Sequence, residues 1–432
     1  MKAATRPRAN APRPPRRWRT PPPLTRGSAE TLEGMEILRE VGGDAGVLLW
    51  QSYRNVMFWA TADPADRAKM FSADAGKKRL ADVEAAALED ALSIPLTTVG
   101  KMLSAPEKTA GEAVADACTT VARWADAHGY LGTSLAYMQA AALAAPGVAR
   151  LPYDVAEIAR KRHELARAET WYRHAIMIGR QVGDWESYAR AYVALGNMFL
   201  KRGNFPVSHR MHIKAVRASR RKGLPGIQGP ALHDLFIIAA EGNRTAQAQQ
   251  FAAAALRAYG PKHERVPALA HDIGYYWLRQ GHFERSLPIF EALLPHFATA
   301  ADRIVVLANI ARAAGGAGSR DVYRKAWTEV NRLARDADTV AALAPSMLDL
   351  ARGAASLEEW DRAEQAAEQA YKVARERGEA QISLLAEDLL ESIRSRPAKK
   401  PAAPELPAAD GAEDADAERL ASDMVRSLAM AA

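Results

Sequence analysis

The chain has 432 residues, 48% of them apolar and 7% aromatic, with a formal net charge of +7. That is enough apolar material for a large core or several small domains. Cys118 is its only cysteine, which excludes an intrachain disulfide framework and a cysteine-based zinc site. No run of eighteen apolar residues occurs, so a membrane-spanning helix is not expected.

The basic charge is concentrated at the start. Residues 1–28 carry Lys2, Arg6, Arg8, Arg13, Arg16, Arg17, Arg19 and Arg26 without one acid, interleaved with prolines that disfavour helix and sheet. No apolar stretch follows Arg16-Arg17, as either export signal built on such a pair would require. The remainder of the chain is close to neutral. This segment is expected to be a disordered tail, open to nucleic acid or acidic partners through charge alone, with Trp18 available for stacking.

Residues 29–108 read as a small α-helical domain. Leu32, Met35 and Leu38 begin one apolar stripe, and Leu49, Tyr53, Val56, Met57 and Ala60 form another that stops before Asp63-Pro64. Two further helices are expected over 78–92 and 96–104, joined at Ser93-Ile94-Pro95. Leu88, Ile94, Val99 and Leu103 fall at the offsets of a DNA-reading helix-turn-helix, with Glu89 and Ser93 as misfits at the packing and turn positions.

From 109 to 396 helical hairpins follow one another. Gly203, Gly242 and Gly281 recur every 39 residues, each at the same expected place in a helix-turn-helix pattern. Around Gly203 the pattern includes Leu195, Gly196, Phe199 and Ser208, and around Gly281 it includes Ile273, Gly274, Trp277 and Ser286. Gly196 and Gly274 are read as close helix–helix contacts, and Gly203 and Gly281 as left-handed ends of the first helices. Earlier hairpins are expected near 115 and 149, later ones near 300 and 344, and a terminal cap over 381–394. Near 228, Asp234-Leu235 stands where the neighbours have Leu-Gly, so that hairpin is expected to open wider.

These offsets of large and small residues resemble the tetratricopeptide repeat family. The resemblance implies an all-α, right-handed α-solenoid of helix-turn-helix hairpins whose first helices line a concave groove holding a partner peptide. Counted from the repeat register, Arg190, Asn197, Lys201, His271, Tyr275, Arg279 and Arg312 project into that groove. Asn197 and Lys201, one turn apart, match part of the set with which some relatives clamp a carboxylate. Val193 stands where those relatives place a lysine.

Residues 397–432 read as a proline-, alanine- and acid-rich disordered tail ending in a short amphipathic helix. Its Leu420, Met424 and Leu428 share one face and are a candidate occupant of the groove. No phosphate-binding loop, zinc-protease motif or nucleophile elbow is present, and Gly315-Gly316-Ala317-Gly318-Ser319 lies where a repeat turn belongs. His209 and His212 are read as packing residues, and His233 and His271 as lying on first helices. The expected function is a non-enzymatic, cytoplasmic adaptor that binds another protein and needs no cofactor. The alternative is a regulator contacting nucleic acid through the N-terminal helices or the basic tail.

Overall fold

The computed structural model describes residues 21–22, 34–335, 340–395 and 411–431. The basic tail and the segment 396–410 lie outside this set, apart from two prolines. Among the described residues there are helices and turns but no strand, as the sequence pattern implied. The chain forms two compact units, one ending at Lys222 and the other beginning at Gly223.

The N-terminal unit begins with α1 (Met35–Glu40), α2 (Gly43–Thr61), α3 (Arg67–Met70), α4 (Ala73–Ala85) and α5 (Asp90–Ser104). Three hairpins follow: α6 (Gly111–Ala127) with α7 (Leu131–Ala144), α8 (Arg150–Lys161) with α9 (Leu165–Val182), and α10 (Trp185–Lys201) with α11 (Phe205–Lys222). One hydrophobic core runs from Ile37, Leu49, Trp59 and Leu96 through Val121 and Trp171 to Met211. The front helices thus share their interior with the hairpins. Polar contacts reinforce the join. Glu40 accepts from the backbone N–H of Gly132 and Thr133 at 2.8 and 2.7 Å, satisfying free donors at the start of α7. The Trp59 indole donates to the Pro106 carbonyl at 2.8 Å, and the Tyr137 hydroxyl to that of Leu49 at 2.7 Å.

The expected helix-turn-helix at 82–104 is not formed. Its turn was placed at Ser93-Ile94-Pro95, but those residues lie inside α5, and the chain turns instead over 86–89 with Ala87 left-handed. Glu89 sits in that turn, where its carboxylate accepts from the Trp124 indole at 2.5 Å.

The C-terminal unit contains α12 (Pro225–Glu241) with α13 (Thr245–Tyr259), α14 (Val266–Gln280) with α15 (Phe283–Leu293), α16 (Ala300–Gly316) with α17 (Arg320–Leu333), and α18 (Val340–Ser356) with α19 (Trp360–Arg377). Then come α20 (Ala380–Arg394) and α21 (Gly411–Ala431).

All seven hairpins from α6 to α19 close in the same way. The first helix ends on one left-handed residue: Gly129, His163, Gly203, Asn243, Gly281, Gly318 and Glu358. The next N–H reaches back five residues, as in Tyr130 to Ala125, Asn204 to Phe199, Arg244 to Ala239 and His282 to Trp277, all at 2.8–2.9 Å. This is the Schellman arrangement, which satisfies carbonyls that a helix end leaves free. The residue five places after each left-handed one is wholly buried, and it is small in all but one hairpin: Ser134, Ala168, Ser208, Ala248, Ser286, Tyr323 and Ala363.

The register at Gly242 is one residue off the sequence expectation. Gly242 has φ −86°, and Asn243 takes the left-handed position with φ +51°. The equal spacing of the three glycines therefore hides a shift, and Leu235-Phe236, not Asp234-Leu235, aligns with Leu195-Gly196. The hairpin does not open; α12 and α13 pack as closely as any pair in the chain. Phe236 occupies the position of Gly196 and Gly274, while Ala252 occupies that of His212 and Phe290, so large and small have changed places between the two helices.

Candidate functional site

Within the C-terminal unit the first helices α12, α14, α16 and α18 are neighbours, and residues one repeat apart meet across them. His233 Nε2 donates to Asp272 Oδ2 at 2.9 Å, linking α12 to α14. His271 Nδ1 donates to the other oxygen, Oδ1, at 3.3 Å. Asn309 Nδ2 on α16 stands 3.4 Å from Nε2 of His271. Further along, Arg312 on α16 pairs with Asp349 on α18 at 2.9 Å, and Arg352 shares that carboxylate at 3.1 Å. Burial works against the charge on Asp272, but the hydrogen bonds from His233 and His271 outweigh it and hold the carboxyl at about 2.

Beside this chain of polar groups lies a cleft of about 160 Å³ between α12 and α14. Phe236, Glu241, Asp272, Tyr275, Tyr276 and Arg279 contribute to its lining. Tyr275 is 38% exposed and stacks on His271, with centroids 6.2 Å apart and planes at 4°. Arg279 and Glu241 pair across the two helices at 3.2 Å, leaving both side chains about half exposed. The Tyr276 hydroxyl is buried without a hydrogen-bond partner among the described residues. A wall that joins an exposed aromatic face and a half-exposed charge pair suits a peptide segment better than a bare apolar ligand.

The residues expected in a groove thus divide. His271, Tyr275 and Arg279 share α14 beside the cleft, and Arg312 on α16 is tied into the pair with Asp349. Arg190, Asn197 and Lys201 share α10 in the N-terminal unit. There Arg190 is engaged by Glu186 at 2.9 Å, Asn197 Oδ1 is buried without a partner among the described residues, and Lys201 is exposed. Aromatic residues that the sequence did not place at a site also lie on α10. Tyr188 packs edge-on against Trp185 and Tyr192 at 5.4 and 4.9 Å, and Lys222 and Lys214 stand over the Trp185 and Tyr192 rings. Their spacing of three and four residues was the available signal.

Other candidates are absorbed by packing. His212 is fully buried against Gly196, as its repeat position implied. The glycine run at 315–318 ends α16, where a β-carbon on Gly315 would lie 2.3 Å from the Gly353 carbonyl oxygen of α18. Burial pushes the Cys118 thiol up to about 12, leaving it unreactive at neutral pH. Among the described residues no helix is long and apolar enough to cross a membrane.

No family profile matches the chain, and no curated protein matches it in sequence. Among solved structures, it is similar to BtubC (BKLC) from P. vanneervenii, at 18% identity and a TM-score of 0.40 over 53% of this chain and 91% of that one. PilF of Pseudomonas aeruginosa is similar at 15% identity and a TM-score of 0.42, over 54% and 96% of the two chains. The TPR2AB domain of yeast Sti1, solved in a complex with pHSP90, is similar at 12% identity and a TM-score of 0.25, over 65% and 98%. Likenesses at this level assign no partner to the present chain; its seven successive helical hairpins with a common closure make it a tetratricopeptide-like helical-repeat protein.

Proposed function

We propose that the protein is a non-catalytic adaptor and that the first-helix face of its C-terminal unit holds a segment of a partner protein. The observation that carries the reading is the cleft between α12 and α14, where exposed Tyr275 stands beside the Glu241–Arg279 pair. A peptide crossing the first helices can place a side chain on Tyr275 and meet the exposed ends of the Glu241–Arg279 pair. The polar chain from His233 to Asn309 supports the reading by fixing the rings and carboxylate in place before a ligand arrives, which lowers the ordering cost of binding. Lys201 and Asn197 on α10 are proposed as a separate contact in the N-terminal unit, and the cytoplasm as the compartment.

The runner-up, contact with nucleic acid, has lost its helix-turn-helix and rests on the basic tail, which lies outside the described residues. Displayed-peptide selection against the full chain separates the readings. Peptides recovered on the intact protein should lose at least tenfold in affinity with Tyr275→Ala, and the melting temperature should stay unchanged. Selected peptides indifferent to Tyr275→Ala and Arg279→Glu would place the binding face elsewhere.

A further inference from the structure

The terminal helix α21 does not lie on the first-helix face. It packs against α13 and α15, the second helices of two successive hairpins, with a smaller contact to α14. α13 and α14 barely touch, as do α17 and α18, whereas α9/α10 and α15/α16 pack closely; α21 fills the first of these two loose junctions. Six residues, 260–265, join α13 to α14 where two suffice between α9 and α10.

The docking face of α21 is small and specific. Ala417, Leu420, Met424 and Leu428 are buried at spacings of three and four, so they form one stripe. At the other end Arg285 on α15, itself only 13% exposed, pairs with Asp414 and with Glu418 at 2.6 Å, two acids one turn apart on α21. His296 Nε2 donates to the Leu428 carbonyl at 3.1 Å, taking up an acceptor at the helix C-terminal end. Four buried apolar side chains and two paired acids anchor this helix of 21 residues. Most of the stability of a helix in a protein comes from packing its amphipathic face, so docking stabilises α21. The only covalent link is residues 396–410, rich in proline and alanine. A tether of this kind raises the effective concentration of α21 at the seam.

We infer that the α13–α15 seam is a helix-docking site, filled in cis by α21 and open to a partner's amphipathic helix of the same pattern. That pattern is two acids four apart, the second two residues before the first of three large apolar residues spaced by four. Arg285 reads the acids and the seam reads the stripe. The site is distinct from the first-helix cleft, since α21 packs chiefly on the second helices α13 and α15.

The test keeps the whole chain and places a protease site within 396–410. After cleavage, a fluorescent peptide of residues 411–432 should exchange into the seam. A second peptide that retains Asp414, Ala417, Glu418, Leu420, Met424 and Leu428 but changes every other position should bind within about threefold of it, because the site reads the pattern. Met424→Asp in the peptide should abolish binding, and Arg285→Glu in the protein should weaken it at least tenfold. Before cleavage both peptides should bind at least tenfold more weakly. No exchange in a day, with helical circular dichroism intact, would make α21 a permanent part of the core and overturn the inference. Loss of binding by the pattern-only peptide would do the same, as would a stable dimer of the uncleaved chain formed by reciprocal exchange of α21.

Discussion

A β-carbon on Gly196 would stand 2.4 Å from Nε2 of His212, so the imidazole occupies the space that the glycine leaves. One pair of repeats later Gly274 faces the Phe290 ring in the same way, with the nearest ring carbon 3.0 Å from an added β-carbon. Two hairpins solve one packing problem with different rings, and the difference in clearance sets an order for their variants.

Gly196→Ala should destabilise the N-terminal unit by about 1–3 kcal/mol, the usual range for overpacking, less what alanine returns in helix propensity. Gly274→Ala, with a looser contact, should cost less, and Gly274→Leu more than either. His212→Ala should rescue part of the Gly196→Ala loss. Thermal melting of the four variants checks the order. Equal melting temperatures for wild type and Gly196→Ala would mean that the ring does not sit in that space.

His212 also predicts a pH dependence. Burial, aided by the nearby His209, lowers its pKa to about 4, so the folded chain keeps it neutral while the unfolded chain titrates near 6.5. The unfolded state then binds the proton first as pH falls. The stability tied to neutral His212 is full above about pH 6.5 and is lost progressively down to about pH 4. Over that window the loss should be on the order of 2–3 kcal/mol. His212→Phe, which copies Phe290, should remove this component. Denaturant unfolding of both proteins at pH 7.5 and 4.5 measures it, and an identical pH response would contradict the assignment.

The polar chain on the first helices supplies a third case. Asp272→Ala leaves His233, 8% exposed, without its acceptor. Because the carboxylate side chain is 38% exposed, solvent screening limits the cost to about 1 kcal/mol. With the carboxyl held at about 2, its contribution is full above about pH 4 and disappears as pH falls toward 2. The same variant should loosen Tyr275 through His271, so partner affinity should fall more than stability does. A loss confined to stability would show that the chain has only a packing role.

Much of this arrangement was legible in the sequence. All seven hairpins fell where large and small residues alternate, because close helix packing forces that alternation. The site partners were legible too, though unread. His233 and Asp272 are 39 residues apart, Asn309 and His271 are 38, Arg279 and Glu241 are 38, and Arg312 and Asp349 are 37. Complementary groups one repeat apart on first helices meet by construction, and a search at that period finds them. Two features were hidden for physical reasons. Asn243 tolerates a left-handed backbone and displaced the expected role of Gly242 by one residue. The docking of α21 joins Arg285 to Glu418 across 133 residues, and no local pattern encodes which distant seam an amphipathic helix fills.

The front helices give a fourth expectation. Trp59 is buried in the core shared with α6 to α9, and Glu40 closes the start of α7. Trp59→Ala should cost about 3–5 kcal/mol and Glu40→Ala about 1 kcal/mol, both read in unfolding of the N-terminal unit. A chain beginning at residue 109 should lose cooperative melting of α6 and α7. If it melts as the full protein does, the shared core contributes nothing.

The most direct measurement of the binding proposal is site-specific photo-crosslinking in living cells, with a photoreactive phenylalanine analogue at position 275 or at position 325 of the full chain. Tyr275 lies beside the first-helix cleft, and Lys325 is exposed on the second helix α17. The account predicts discrete crosslinked species from 275 that are lost with Arg279→Glu, and none from 325. Crosslinks from 325 alone, or the same products from both positions, would contradict it.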